Sequence, residues 1–236
     1  MKLLAIDTST RTTSVAVVDG DGAILADDAI RADGHSAELL PRIAGVLERA
    51  GVAPRALDAV AVGVGPGSFT GLRIGVAAAK GVAFGAGVPL WAVSSLAALA
   101  LDLAAHTEAA LLVPILDARR GEVFAGTYAR TATGVTALAP DRVLPPAELA
   151  PIIEALACAS VALGGDGVDV YRDELGALAA HAVATAPGSP SAGSIARLAL
   201  AGERADVLGH GAPRYIRPAE AEVKYPAGVP GARRTH

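Results

Sequence analysis

The chain has 236 residues, enough to bury one or two cores of ordinary size, and 52% of them are apolar, with few aromatics. A formal net charge of −4 and a pI of about 5.7 exclude a chain that holds nucleic acid by its overall charge; an RNA role would need a local basic patch or a basic partner. The one cysteine, Cys158, excludes an internal disulfide framework and fits a reducing, cytoplasmic setting, and its apolar helical surroundings point to an inert core thiol.

Met1-Lys2 leads straight into a strand, with no signal peptide expected. Residues 3–6 read as a buried strand ending in Asp7-Thr8-Ser9-Thr10. Residues 13–18 form a second strand, Asp19-Gly20-Asp21-Gly22 a hairpin turn, and residues 23–30 a third strand. Gly34-His35-Ser36 opens a helix that ends at Gly51. Leu39, Ile43, Val46 and Ala50 form its apolar stripe, and Pro41 is tolerable only near its first turn.

The next stretch organises the rest. Residues 58–64 are a short apolar run with turn signals at both ends, hence a buried strand. Gly63, Gly65 and Gly67 flank Pro66 in a loop that can bend where a side chain would clash. Ser68 or Thr70 caps a helix over residues 70–84. At 100° per residue, Arg73 and Lys80 fall on one narrow stripe, while Leu72, Ile74, Val76, Ala79, Val82 and Ala83 cover nearly everything else. Two readings stand: a central core helix, or a helix whose outer face meets a partner protein. The pairs Gly71/Gly75 and Gly81/Gly85, each one turn apart, would let another helix approach closely. The loop lacks the Gly-Lys-Ser/Thr ending of a P-loop and is not Gly-x-Ser-x-Gly; its helix N-terminus could still hold an anion.

Residues 81–101 carry no charge and have the length of a membrane span. Gly85, Gly87 and Pro89 interrupt them, so they read as helix end, strand (89–93) and a new helix capped by Ser94 or Ser95 and running to His106. No membrane association is expected.

The element order then repeats: strands at 111–116, 122–128 and 135–143, a helix at 146–157, a short strand at 161–163 running into Gly164-Gly165-Asp166-Gly167, helices at 168–175 and 191–205, and a short strand near Ala182. Two such lobes meeting at a cleft define an α/β protein with mixed sheets. The expected divisions are an N-terminal lobe over 1–106, a C-terminal lobe over 107–211, and an extended tail over 212–236.

Candidate chemistry is sparse. Asp7, Thr8, Ser9 and Thr10 lie where a buried strand turns back, and could meet phosphate through hydroxyls and N–H groups or simply close a hairpin as an Asx turn. Asp117 holds the matching place in the second lobe, followed by Arg119-Arg120. Gly164 and Gly165 could admit an adenine or merely end a strand. None of the five histidines has a second histidine or a cysteine at metal-ligand spacing, and no Ser/His/Asp set can be read locally. No catalytic residue and no metal site is expected.

Several segments together resemble the TsaB (YeaZ) family. They are Leu-Ala-Ile-Asp7-Thr8-Ser9-Thr10, then Gly34-His35-Ser36-Ala-Glu38-Leu39-Leu40-Pro41, and Gly65-Pro66-Gly67-Ser68-Phe69-Thr70-Gly71-Leu72-Arg73-Ile74-Gly75. Leu116-Asp117-Ala118-Arg119 with Glu122-Val123-Phe124, and the tail Pro213-x-Tyr215-x-Arg217, match as well. The resemblance implies a two-lobed actin/Hsp70-like ATPase fold (ASKHA, ribonuclease H-like). It also implies a place in the bacterial machinery that makes threonylcarbamoyladenosine beside the anticodon of ANN-decoding tRNAs. There the family pairs with its catalytic paralogue TsaD, assisted by the ATPase TsaE, so that tRNA is engaged indirectly. TsaD carries a metal through His-x-x-x-His; this chain has His35 but Leu39 four residues later.

The expectation is a non-catalytic interaction subunit with no tightly bound cofactor and at most weak ATP or ADP binding, through Asp7 to Thr10 and Gly164-Gly165. An ATP-dependent small-molecule kinase of the same fold, and a metallopeptidase-like protein, are the alternatives. The expected partner surface comprises Leu39, Ile43, Val46, Arg73, Gly75, Ala78, Lys80 and Val82. It would serve the paralogue or a homodimer, and it rests on the surplus of apolar and small surface on the two N-lobe helices.

Overall fold

The structure is a computed structural model and describes residues 1–31 and 38–207. His35 and Ser36, and the segment expected as a tail, lie outside the described residues.

The first lobe begins with an antiparallel meander of β1 (Lys2–Asp7), β2 (Thr12–Asp19) and β3 (Ile24–Arg31). It continues through α1 (Leu39–Arg49), β4 (Ala59–Gly63), α2 (Phe69–Ala86), β5 (Leu90–Val93) and α3 (Ser95–Ala104). Strands β4 and β5 run parallel to β1, giving the order β5-β4-β1-β2-β3. Leu3, Leu4, Ala5 and Ile6 are all fully buried because helices cover both faces of the sheet, which is why β1 and β4 read as unbroken apolar runs.

Leu4, Ile6, Val15, Val17, Val60 and Val62 meet α1 and α2 on one face, through Leu39, Ile43, Val46, Val76 and Ala79. The other face carries small residues, Ala5, Ala16, Ala59 and Ala61, and so admits helices at close range. Serine hydroxyls cap the helices as their sequence positions require: Ser68 accepts from Gly71 N at 3.2 Å and Ser94 from Ala97 N at 3.2 Å. Pro41 sits in the first turn of α1, where its missing N–H costs nothing.

The second lobe has β6 (Leu111–Arg119) at its centre, with β7 (Glu122–Ala125), β8 (Tyr128–Thr131), β9 (Gly134–Ala137) and β10 (Arg142–Leu144). There follow α4 (Leu149–Ala155), β11 (Val161–Gly164), α5 (Asp166–Val170) and α6 (Arg172–Leu175). The two strands expected over 122–128 and 135–143 are each broken in two. Opposite the first break stands Pro114, in mid-β6, whose carbonyl accepts from Gly126 N at 3.3 Å but which has no N–H to return. Ile115 pairs with Ala125 and Leu112 with Tyr128, so the register runs unchanged across the gap. The second break, around Pro140, lies between β9 and β10. The helix expected over 168–175 is two short helices, and the strand near Ala182 is a single bridge to Leu163.

One placement corrects the expected lobe division. Chain order puts helix α7 (Ala192–Leu200) in the second lobe, yet it packs on β1, β2 and β4 through Ile195, Ala196 and Ala199. Strand β12 (Ala205–Asp206) then pairs antiparallel with β5, completing a six-stranded first sheet. Helices α3 and α7 thus lie between the two sheets, and their cluster extends to Leu112, Leu116 and Phe124 of the second. Asp102 of α3 clamps the start of α7, accepting from Ser191 N and Ser191 Oγ at 2.7 Å each and from Ser194 Oγ at 2.5 Å.

Candidate functional site

The turn after β1 and the start of α2 form one interlocked unit. Asp7 is fully buried; its Oδ1 accepts from Ser9 N at 2.9 Å and Ser9 Oγ at 2.6 Å, and its Oδ2 from Ser95 Oγ at 2.7 Å. Ser95 Oγ in turn accepts from Gly65 N at 3.1 Å. Thr8 Oγ1 donates to Gly71 O at 2.8 Å, and Ser68 N donates to Ser9 O at 2.6 Å. Burial pushes the Asp7 carboxyl up, against the opposing pull of the Ser9 and Ser95 hydrogen bonds.

The glycines explain how such closeness is possible. A Cβ on Gly63 would lie 1.9 Å from Asp7 Oδ2, on Gly67 2.2 Å from Ser9 O, on Gly71 2.1 Å from Thr8 O, and on Gly75 2.1 Å from Thr8 Oγ1. Much of the loop's donor capacity is turned inward. Ser9 N and Ser9 Oγ serve Asp7, Thr8 Oγ1 serves Gly71 and Ser68 N serves Ser9, so these four donors are used within the fold.

The second-lobe candidates are packed closely in the same way, at the end of a strand. A Cβ on Gly164 would meet Leu103 Cδ1 at 3.0 Å and Ala186 Cβ at 3.2 Å. On Gly165, whose φ is +113°, it would lie 2.2 Å from Ile115 O. Gly164 ends β11 and Gly165 caps the start of α5; both are closely packed.

The lobes do meet beyond these loops. Thr10 Oγ1 donates to Ser189 Oγ at 2.9 Å, and Asp166 N donates to Gly188 O at 2.9 Å. Asp166 Oδ1 accepts from Asp117 N at 3.0 Å. Asp117 accepts from Tyr171 Oη at 2.9 Å and pairs with Arg119 at 2.8 Å. Sequence reasoning missed Ser95, Ser189 and Tyr171, because each acts on a residue at least 54 positions away. Ser95 offered only a capping signal.

The expected partner surface divides. Leu39, Ile43 and Val46 are buried at 3% exposure or less against the sheet, and Gly75 is buried against Thr8. Those four are core, which corrects their assignment to an interface: the sheet face needs the apolar stripe of α1, and the β1 turn needs the glycine. Arg73 is exposed, and Ala78, Lys80 and Val82 are half-buried on the flanks of α2. The outward stripe of α2 is Phe69, Arg73, Ala77, Gly81, Phe84 and Gly85, with Arg73 stacked 3.8 Å over Phe69 and Phe84 82% exposed. Nothing lies within 4 Å of a Cβ built on Gly81 or Gly85. On α1, Leu40 is exposed.

Among the described residues no helix is long and apolar enough to cross a membrane, and no group of three or more His, Cys, Asp or Glu is placed to hold a metal ion.

A mixed sheet ordered 5-4-1-2-3, a second mixed sheet and two helices between them define a two-lobed α/β protein with the strand order of the ribonuclease H-like fold. A family model described as "TsaD: tRNA N6-adenosine threonylcarbamoyltransferase" matches residues 28–225. The chain is 35% identical over 228 residues to the tRNA threonylcarbamoyladenosine biosynthesis protein TsaB of Bacillus subtilis, covering 95% of this chain and 98% of that one. It is 38% identical over 135 residues to the Escherichia coli protein of the same name, 57% of this chain and 58% of that one. The solved structure of YeaZ from Pseudomonas aeruginosa matches with a TM-score of 0.74 at 30% identity, over 91% of this chain and all of that one. The chain belongs to the TsaB family of tRNA threonylcarbamoyladenosine biosynthesis.

Proposed function

We propose that this protein is a non-catalytic subunit of tRNA threonylcarbamoyladenosine synthesis. In this reading it docks a TsaD-type paralogue on the outer face of α2 and thereby supports transfer to the tRNA adenosine. The observation that carries the reading is that face: an exposed phenylalanine beside two open glycines, on a helix otherwise anchored in the core. Exposed apolar surface of this kind marks interaction sites, and small residues let a partner helix come close. The chain-internal bonding of the Asp7 to Thr10 turn supports a role without nucleotide turnover, with ATP or ADP held at most weakly by this chain and ATP turned over by TsaE.

The test is reconstitution with the TsaD-type protein, TsaE, ATP, the threonylcarbamoyl donor and an unmodified tRNA. Phe84→Glu and Gly81→Leu should keep the circular dichroism and melting of the parent, lose association with the paralogue, and lose modification in proportion. Normal association in both folded variants refutes the docking face. ATP hydrolysis by the chain alone, abolished in Asp7→Ala, refutes the non-catalytic role in favour of the kinase reading.

A further inference from the structure

A second surface lies where the turn after β1 meets the second lobe. Strands β6 and β7 are joined by Arg120-Gly121, and the left-handed backbone starts one residue earlier, with φ of 65° at Arg119, 59° at Arg120 and 78° at Gly121. That geometry suits a tight hairpin, but Asn-Gly or Asp-Gly adopts it at far lower cost than bulky side chains do. Held there, the two arginines project from the tip of the second lobe; Arg119 is 60% exposed, and Asp117 behind it orients one edge of its guanidinium.

Two more arginines reach the same place from the first lobe. Arg31 pairs with Thr12 across β2–β3, and Arg11 adjoins it at the end of the β1 turn. A continuous chain of contacts links the groups: Thr10, next to Arg11, bonds Ser189; Gly188 accepts from Asp166; and Asp166 accepts from Asp117, the partner of Arg119. Burial pushes the Asp166 carboxyl up, and the charges of Arg119 and Arg31 both pull it down. The carboxylates in the region, Asp117, Asp166 and Glu122, are half-buried, whereas all four arginines are exposed. In a chain of net charge −4, four exposed arginines at one rim are a concentration of positive charge.

We propose that Arg11, Arg31, Arg119 and Arg120 form a contact surface for the phosphate backbone of RNA, spanning both lobes where the β1 turn meets the second. The inference rests on the reading above, in which the complex acts on tRNA, and adds where this subunit touches it. Guanidinium groups engage phosphate bidentately, and a row along an open rim fits successive phosphates better than a single enclosed nucleotide. The surface positions RNA without reading bases.

The experiment has two arms, both on the full chain with its paralogue, after association between them has been measured; that measurement tests the reading above, and the arms test this one. First, a photocrosslinking benzoylphenylalanine replaces Arg120, or Glu154 on the exposed side of α4 as control. A labelled tRNA transcript should crosslink at position 120 and not at 154. Second, Arg11→Ala/Arg31→Ala/Arg120→Ala should weaken tRNA binding at least tenfold near physiological salt. It should also make the log–log salt dependence shallower by roughly 2, at about 0.7 for each phosphate no longer neutralised. The lysine triple variant should restore most of the slope. Equal crosslinking at both positions, an unchanged salt slope, displacement of the crosslink by ATP, or loss of paralogue association in the alanine variant would each overturn the proposal. The last two would reassign the surface to a mononucleotide or to protein.

Discussion

Gly75→Ala tests whether α2 is locked onto the β1 turn. A methyl on Gly75 would sit 2.1 Å from Thr8 Oγ1, where ordinary van der Waals contact begins at 3.4 Å, so about 1.3 Å must be found. Thr8 cannot simply turn aside, because its hydroxyl is bonded to Gly71 O and its other branch is packed at 3.3 Å from the same point. Overpacking costs about 1–3 kcal/mol, and an overlap this deep on a side chain that cannot turn aside falls at the upper end, about 2–3 kcal/mol, while alanine in place of a mid-helix glycine returns roughly 1 kcal/mol. The net expectation is a loss of about 1–2 kcal/mol, or a melting temperature lower by roughly 2–8 °C for a chain of this size. The same substitution in a Thr8→Ala background meets only a Cβ at 3.3 Å, and should be nearly neutral or stabilising relative to Thr8→Ala. Urea denaturation of the four proteins gives the coupling energy, expected above about 1 kcal/mol. A Gly75→Ala variant as stable as the parent, or an equal penalty in both backgrounds, would show that the turn and helix are not in contact and would return Gly75 to the surface.

The buried carboxylates make further predictions. Asp7 is held by burial above its ordinary value, so the native state retains its proton at a pH where the unfolded chain has released it. Its contribution is therefore full below about pH 4 and declines as pH rises through the folded value, by at most about 1.4 kcal/mol per pH unit. The stability of the parent relative to Asp7→Asn, from urea midpoints between pH 4 and 8, should fall as pH rises; a relative stability that rises with pH contradicts the assignment. Asp102→Ala removes the acceptor of Ser191 N and of two serine hydroxyls, and should destabilise by about 2–3 kcal/mol, with Asp102→Asn milder. Equal melting of Asp102→Ala and parent would show that the α3–α7 clamp carries no stability.

The first lobe was legible because its strands are covered on both faces, so apolar runs such as Leu3 to Ile6 stand out against the turns around them. The helices were legible through their caps and spacing. What spacing cannot supply is the origin of rotation. It shows that α2 is apolar nearly all round, and that Gly71/Gly75 and Gly81/Gly85 are close-approach sites, but a glycine that admits a loop of its own chain looks the same as one that admits a partner. The apolar stripe of α1 likewise reads as surplus until the sheet beneath it is in place. In the second lobe, Pro114 breaks the neighbouring strand from across the ladder, a signal invisible within the broken segment itself. The lobe to which α7 belongs is set by alanines at positions 5, 16, 59 and 61, more than a hundred residues away. The arginine rim was visible only as Arg119-Arg120 in a turn; Arg11 and Arg31 join it through strand pairing and the cleft contacts.

The two glycine pairs of α2 give the helix two unlike halves. Its N-terminal half is wedged into the β1 turn by Gly71 and Gly75, while its C-terminal half carries Phe84 outward between Gly81 and Gly85. An α-helix transmits displacement along its axis, and Phe84 lies nine residues, about 13 Å, beyond Gly75. A shift forced at Gly75 therefore reaches the proposed docking face although Gly75 itself is buried against Thr8. Weak association in a Gly75 variant is accordingly ambiguous in itself, since disturbed packing and a damaged docking face have the same effect on binding. Gly81 separates the two. Its position is open, so a side chain there leaves the helix where it is, and any loss of binding with an unchanged melting temperature belongs to the surface. Within the proposed function, Gly75→Ala should lower stability and association together, Thr8→Ala should restore both, and Gly81→Leu should lower association alone.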